Sequence, residues 1–222
     1  MTKAILFDLD GTLLPNDEGV FGKLYFKAFA SKMAKYGYDP VKFIDGMQEG
    51  AKAMFDNDGT RTNEEVFKEG FSNYTGKDIN KDKDLINDFY NNEYKSCYPA
   101  LGKDIVAVEC LKECKRKGLK VILASNPLFP KIAYINRMIY NDILEEYFDE
   151  ITSYDLYHYA KPNPKYYQEI LSHHGLKPEE ALMFGNDLTL DVKPAEKIGI
   201  KSYLVHGEGI SSNEMLQIIK NV

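Results

Sequence analysis

AILFDLDGT, residues 4–12, runs from Ala4 through Phe7 without a polar side chain, then places Asp8 and Asp10 on either side of Leu9 and turns at Gly11. A short, almost unbroken apolar run of this kind, Ala4 to Leu9, is the pattern of a strand buried on both faces, as in the middle of a parallel sheet. Three more runs share it, Leu119 to Ala124, Ala181 to Phe184 and Lys201 to Val205, each followed by polar or glycine-containing turn signals. A weaker fifth lies around Phe148 to Thr152. Helical patterns stand between them: Ile105 to Lys117 stopped by Gly118, Pro130 to Tyr140, Pro164 to His174 stopped by Gly175, and Val192 to Ile198 stopped by Gly199. Strand and helix in alternation predict an α/β fold whose doubly wound, mostly parallel sheet forms a Rossmann-like core.

The stretch from about Pro15 to Tyr98 breaks the alternation. Val20 to Tyr36, Pro40 to Phe55, Asn63 to Tyr74 and Lys83 to Tyr94 all have the spacing of amphipathic helices, punctuated by Gly37, the turn at Asn57 to Gly59, and Gly76. The expected organisation is a core of residues 1–14 and 99–222 carrying a smaller all-helical domain of residues 15–98. The insertion is rich in tyrosine, phenylalanine and lysine. Periodic aromatics on such helices are mostly core and lysines mostly a solvated face.

A net charge of -6 argues against a non-specific nucleic-acid binder, which needs a basic footprint to neutralise phosphates. No charged leader precedes the first strand and no apolar stretch is long enough to span a bilayer, so a cytoplasmic protein is expected. Cys97, Cys110 and Cys114 are too few and wrongly spaced for a disulfide framework or a zinc site, and read as reduced thiols. The expected partner is a small molecule.

While the chain stays extended, Asp8 and Asp10 project to the same side at the carboxyl end of the first strand, where ligands of open α/β sheets bind. Two acids with no neutralising partner nearby imply a cation, and hard oxygen ligands favour Mg2+. Asp and Gly are also ordinary turn residues after a strand. Ser125 and Asn126 end the second core strand and open toward a helix through Pro127, where a hydroxyl and free amides hold phosphate, or simply cap a turn. Lys161, in Ala160-Lys161-Pro162-Asn163-Pro164, stands just before a helix that Asn163 and Pro164 start. His173 and His174 close that helix at its favourable end. Gly185, Asn186, Asp187 and Asp191 bring further carboxylates to the same sheet edge. Asp191 before Val192 repeats the helix-start signal.

Taken together, Asp8-Leu9-Asp10-Gly11-Thr12, then Ser125, Lys161, and Gly185 to Asp191 resemble the four ordered motifs of the haloacid dehalogenase-like superfamily, and the resemblance spans the chain. It implies a magnesium-dependent phosphohydrolase that cleaves a small phosphorylated metabolite through an aspartyl-phosphate. Asp8 would be the nucleophile and Asp10 the general acid/base; Thr12 would steady the loop, Ser125 and Asn126 bind phosphate, and Lys161 stabilise it. The helical insertion resembles the family's cap. Only about thirty-five residues separate Ser125 from Lys161, leaving no room for a second cap.

Many relatives carry a metal-binding Asp directly after the glycine; here Asn186 stands there and Asp187 follows. Magnesium prefers carboxylate oxygens and water to a neutral amide, which places Asp187 on the metal with the Asp8 side chain and the Asp10 backbone carbonyl. Asp191 would hold a metal-bound water or the capping amides. A phosphomutase or phosphonate hydrolase of the same superfamily, or a non-catalytic binding module that kept the fold, are the alternatives. A dehalogenase needs no second acid in the first motif, and Asp10 is present.

Overall fold

The computed structural model describes residues 1–222. The chain opens with β1 (Ala4–Phe7), then runs through α1 (Glu18–Ala34), α2 (Pro40–Phe55), α3 (Asn63–Thr75) and α4 (Lys83–Asn91) with no strand between. Alternation follows: α5 (Ile105–Arg116), β2 (Lys120–Leu123), α6 (Lys131–Tyr140), β3 (Glu150–Ile151), α7 (Pro164–His174), β4 (Ala181–Gly185), α8 (Lys193–Lys197), β5 (Lys201–Leu204) and α9 (Ser212–Asn221). The strands form one fully parallel sheet of order β3-β2-β1-β4-β5.

β1 is central, with Phe7 in register with Leu123 on one side and Phe184 on the other. The period of two along each strand divides the core. Ile5, Phe7, Val121, Leu123, Leu182 and Phe184 join the cluster that holds Ala107 and Leu111 of α5 and Met215 and Ile219 of α9. Ala4, Leu6, Ile122 and Met183 join the opposite one, with Tyr166, Tyr167 and Ile170 of α7 and Ala195 of α8. Helices therefore cover both faces, as the apolar runs required.

The insertion is all helical. A stacked pair, Phe29 and Phe89, with ring centroids 3.9 Å apart, joins α1 to α4. Gly50 lets α2 approach α3, since a Cβ there would overlap the Phe67 ring. Where the chain leaves and re-enters the core, its two crossings pair with each other: Gly102 donates to the Pro15 carbonyl at 2.7 Å and Asp17 to that of Ala100 at 3.0 Å. A second junction forms at the start of α3, where the amides of Asn63 and Glu64 donate to the carbonyls of Tyr157 and Tyr154, both at 2.8 Å.

Several elements differ from expectation. The helix expected from Lys83 to Tyr94 ends at Asn91, and a 3-10 segment, Glu93–Ala100, carries the chain through Pro99. The weak strand shrinks to Glu150–Ile151. The turn expected to open a helix at Pro127 does not; α6 starts at Lys131, so its free amides are not at Ser125. The start signal assigned to Asp191 belongs to Asp187, which caps a π-helical turn, Leu188–Val192, that leads into α8. No helix was expected at the C-terminus, yet α9 forms. Ser211 and Glu214 close a capping box at its start, and the Lys117 ammonium reaches the Lys220 and Val222 carbonyls at its end, both at 2.6 Å. No helix of the chain is long and apolar enough to cross a membrane.

Candidate active site

Every loop at the carboxyl edge of the three central strands contributes to one cavity of about 270 Å³. Asp8 follows β1, and its amide still bonds the Phe184 carbonyl at 2.9 Å, so the sheet fixes it. The chain then wraps around the Leu9 carbonyl, which accepts from Leu13 at 3.0 Å and Leu14 at 2.9 Å. Gly11 makes this turn possible: its φ is +75°, and a Cβ would collide with the Asn186 side chain.

Asp8, Asp10, Ser125, Asn126, Lys161 and Asp187 all line the cavity. Thr12 does not. It lies fully buried within the turn, and its hydroxyl has no partner.

Lys161 occupies the middle. Its side chain is 2% exposed, and Nζ donates to Asp8 Oδ1 at 2.7 Å and to Asp191 Oδ1 at 2.5 Å. Burial alone would lower its pKa, but Asp191 and Asp8 outweigh it and hold the ammonium well above its usual range. Burial pushes the Asp8 carboxyl up to about 7, against the pull of Lys161 and with some help from Asp191. Asn126 steadies the lysine loop by accepting the Lys161 amide at 3.1 Å. The Ser125 carbonyl is held by the hydroxyls of Tyr166 at 2.7 Å and Thr152 at 2.8 Å, and the residue lines the cavity.

Asp187 uses Oδ1 as the helix cap, accepting from the Thr189 amide at 2.6 Å, the Thr189 hydroxyl at 2.7 Å and the Leu190 amide at 2.9 Å. The Thr189 hydroxyl is the main reason its pKa lies below the usual carboxylate value. Asp191 is buried, and its second oxygen accepts the Asp187 amide at 3.0 Å. Gly185 leaves room for it, because a Cβ there would overlap the Asp191 carboxylate.

Three polar residues of the cavity, Asn16, Glu18 and Arg137, were not singled out from the sequence. Arg137 donates to Asp10 Oδ2 at 2.5 Å and Asn16 to Asp10 Oδ1 at 2.9 Å, so both oxygens of that carboxylate are engaged. The guanidinium lies against the rings of Phe21, Phe129 and Tyr134. A signal was available: Ala133, Tyr134, Arg137 and Met138 share the buried stripe of α6, where an arginine is out of place unless paired. Glu18, the first residue of α1, faces the same cavity from the insertion, and burial followed by Asp10 raises its pKa.

Five acids, Asp8, Asp10, Glu18, Asp187 and Asp191, thus face two bases, Arg137 and Lys161. That excess of hard oxygen donors suits a divalent cation. No three acidic, histidine or cysteine side chains close a cage by themselves. Magnesium is commonly held by one or two carboxylates, with water and substrate phosphate completing its shell, so the residues present fit it.

A family model described as haloacid dehalogenase-like hydrolase matches residues 2–199. The glyceraldehyde 3-phosphate phosphatase of Methanothermobacter thermautotrophicus is 28% identical over 216 residues, covering 94% of this chain and 87% of that protein. The pyrophosphatase PpaX of Bacillus cereus is 27% identical over 201 residues, covering 90% and 82%. Among solved structures, a HAD phosphatase from Thermococcus onnurineus matches with a TM-score of 0.60 at 20% identity, covering 98% of each chain. L-2-haloacid dehalogenase from Xanthobacter autotrophicus, with chloropropionic acid covalently bound, matches with a TM-score of 0.51 at 20% identity, covering 92% of this chain and 78% of that one. These structural likenesses concern the fold.

Proposed function

The chain belongs to the haloacid dehalogenase-like hydrolase family, and from that membership we propose that it is a magnesium-dependent phosphohydrolase acting on a small phosphate monoester through an aspartyl-phosphate on Asp8. The observation that carries this reading is Lys161, buried and bonded to Asp8 Oδ1 in the cavity that Asp8 lines with Asp10, Ser125 and Asp187. The phosphatase relatives support it.

Asp8 attacks phosphorus in line, the bond to the alcohol oxygen breaks, and Asp10 gives that oxygen its proton. Water then attacks the aspartyl-phosphate, Asp10 takes the water's proton, and phosphate departs with Asp8 restored. Lys161 and the Ser125 hydroxyl meet the phosphoryl oxygens, where preorganised charge contributes most to the rate. The Asp8 side chain, the Asp10 carbonyl and Asp187 would hold Mg2+, which when bound neutralises phosphoryl charge that the acidic cavity would otherwise repel. Residues 15–98 serve as the cap that keeps bulk water from the intermediate.

The test is magnesium-dependent phosphate release from p-nitrophenyl phosphate, paired with rapid quenching and mapping of the labelled residue. Phosphate on Asp8 and loss of turnover in Asp8→Asn are the expected results. Near-normal turnover in that variant, or label elsewhere, overturns the covalent route.

A further inference from the structure

Beside the catalytic cavity lies a second one of about 210 Å³, walled by the helices of the insertion and by the core segment Leu128 to Pro130. Phe129 lines both. The two are adjacent along α1 as well: Phe21 faces the catalytic cavity and Tyr25, one turn later, faces the second, their rings stacked 6.2 Å apart.

The lining of the second cavity offers almost nothing to a polar ligand. Thirteen of its fifteen residues are hydrophobic, and Lys68 is the one that carries charge. Lys68 is paired with Glu64 at 2.7 Å. The hydroxyls of Tyr25 and Tyr90 bond each other at 3.0 Å. No buried side-chain donor or acceptor of this lining lacks a partner. A cavity with so few free polar groups is poor at holding water and suited to apolar guests. The hydroxyls of a sugar would lose their water here and gain no partner.

We infer that this cavity takes the hydrocarbon part of the substrate's alcohol, making the enzyme selective for phosphate monoesters of alkyl or arylalkyl alcohols. The inference rests on the phosphohydrolase reading for the phosphate end and on the cavity for the organic end. At about 210 Å³ it exceeds the roughly 150 Å³ cavity that takes a benzene ring, so a chain of several carbons fits. Phe129 lines both cavities, and a molecule spanning them would pass the contacting rings of Phe21, Tyr25 and Phe129.

The test compares ethyl, butyl and hexyl phosphate with glycerol phosphate and pyrophosphate, all with magnesium present. A rise in kcat/KM of about fourfold per methylene is expected from burial of the chain. Ala51→Trp and the milder Met47→Phe, both in the cavity lining, should lower the hexyl-to-ethyl ratio at least tenfold, with circular dichroism confirming the fold. A flat series, a preference for glycerol phosphate or pyrophosphate, or an unchanged ratio in both variants overturns the inference. Should no ester be hydrolysed, the phosphohydrolase reading falls instead, and 1-hexanol then tests the cavity alone. A rise in melting temperature with the alcohol that Ala51→Trp abolishes supports the apolar site, and no rise overturns it.

Discussion

Lys161 lies closer to Asp191 than to Asp8, 2.5 Å against 2.7 Å, and Asp191 is the more deeply buried of the two acids. The lysine is therefore held by a carboxylate that lies outside the proposed bond changes, and is presented to Asp8 from there. Asp191 is a positioning residue in this arrangement, and its own second oxygen is tied to the Asp187 amide.

Removing the lysine leaves two buried carboxylates facing one another. Lys161→Met should cost about 3–5 kcal/mol of stability, the usual penalty for breaking one side of a buried pair, and also weaken vanadate binding. Replacing Lys161 and Asp191 together, by Met and Leu, should cost less than the lysine change alone. Urea titrations of the two variants and the wild type measure this; equal stability of Lys161→Met and wild type would mean the bridge has no energetic role.

Gly185→Ala probes the same anchor without touching a charge. The added methyl overlaps the Asp191 carboxylate, so the carboxylate must rotate and release Lys161. Activity should fall on the order of 10–100-fold, as when a supporting group is lost, while β4 remains in place. Wild-type rates in this variant would show that Asp191 can move freely.

Asp187 has two separable roles. Asn is as good a helix cap as Asp, so Asp187→Asn should change stability by no more than about 1 kcal/mol. Its affinity for magnesium alone, read by calorimetry, should drop on the order of 10–100-fold or more. Unaltered affinity would transfer the third ligand to Asn186.

Stability should fall as the pH drops below the ordinary histidine range. Burial holds His174 below 6.5 although Glu150, 3.5 Å away, pulls upward, and Lys120 and His173 push down. Between the folded value and 6.5 the unfolded chain binds more protons than the folded one. This contribution is thus fully present above 6.5 and lost as the pH falls through the folded value. Denaturant midpoints across about pH 5 to 8 should slope less steeply in His174→Gln; identical slopes would remove His174 as the source.

What the sequence made legible was what local pattern determines. A strand buried on both faces has to be apolar throughout, which is why β1 and β4 could be read almost to the residue, and Asn163 with Pro164 placed the start of α7. Asp8, Asp10, Ser125 and Lys161 were legible because each stands at a strand end or loop on one sheet edge. Arg137 was not, because what gives it meaning is Asp10, on a different element 127 residues away. That Asp187 and not Asp191 caps the turn escaped as well. Both fit a helix start, and only the π-helical turn, which inserts an extra residue before α8, decides which carboxylate faces the amides and which the lysine. The apolar cavity was hidden for a related reason. Aromatic periodicity reveals that a helix face is buried, and not whether its neighbours fill the space.

The strand order has a consequence for how the protein is made. β1, which precedes every other strand in the chain, is the middle of the sheet, and its partners β2 and β4 lie more than a hundred residues downstream. Helices of the insertion can form early from local contacts, whereas the central strand must wait, unpaired and wholly apolar, for the later ones. Lys161 and Asp191 are also late in the chain, so a truncated chain carries Asp8 without the ammonium that bonds it. The proposed site is therefore complete only after β4 has docked beside β1.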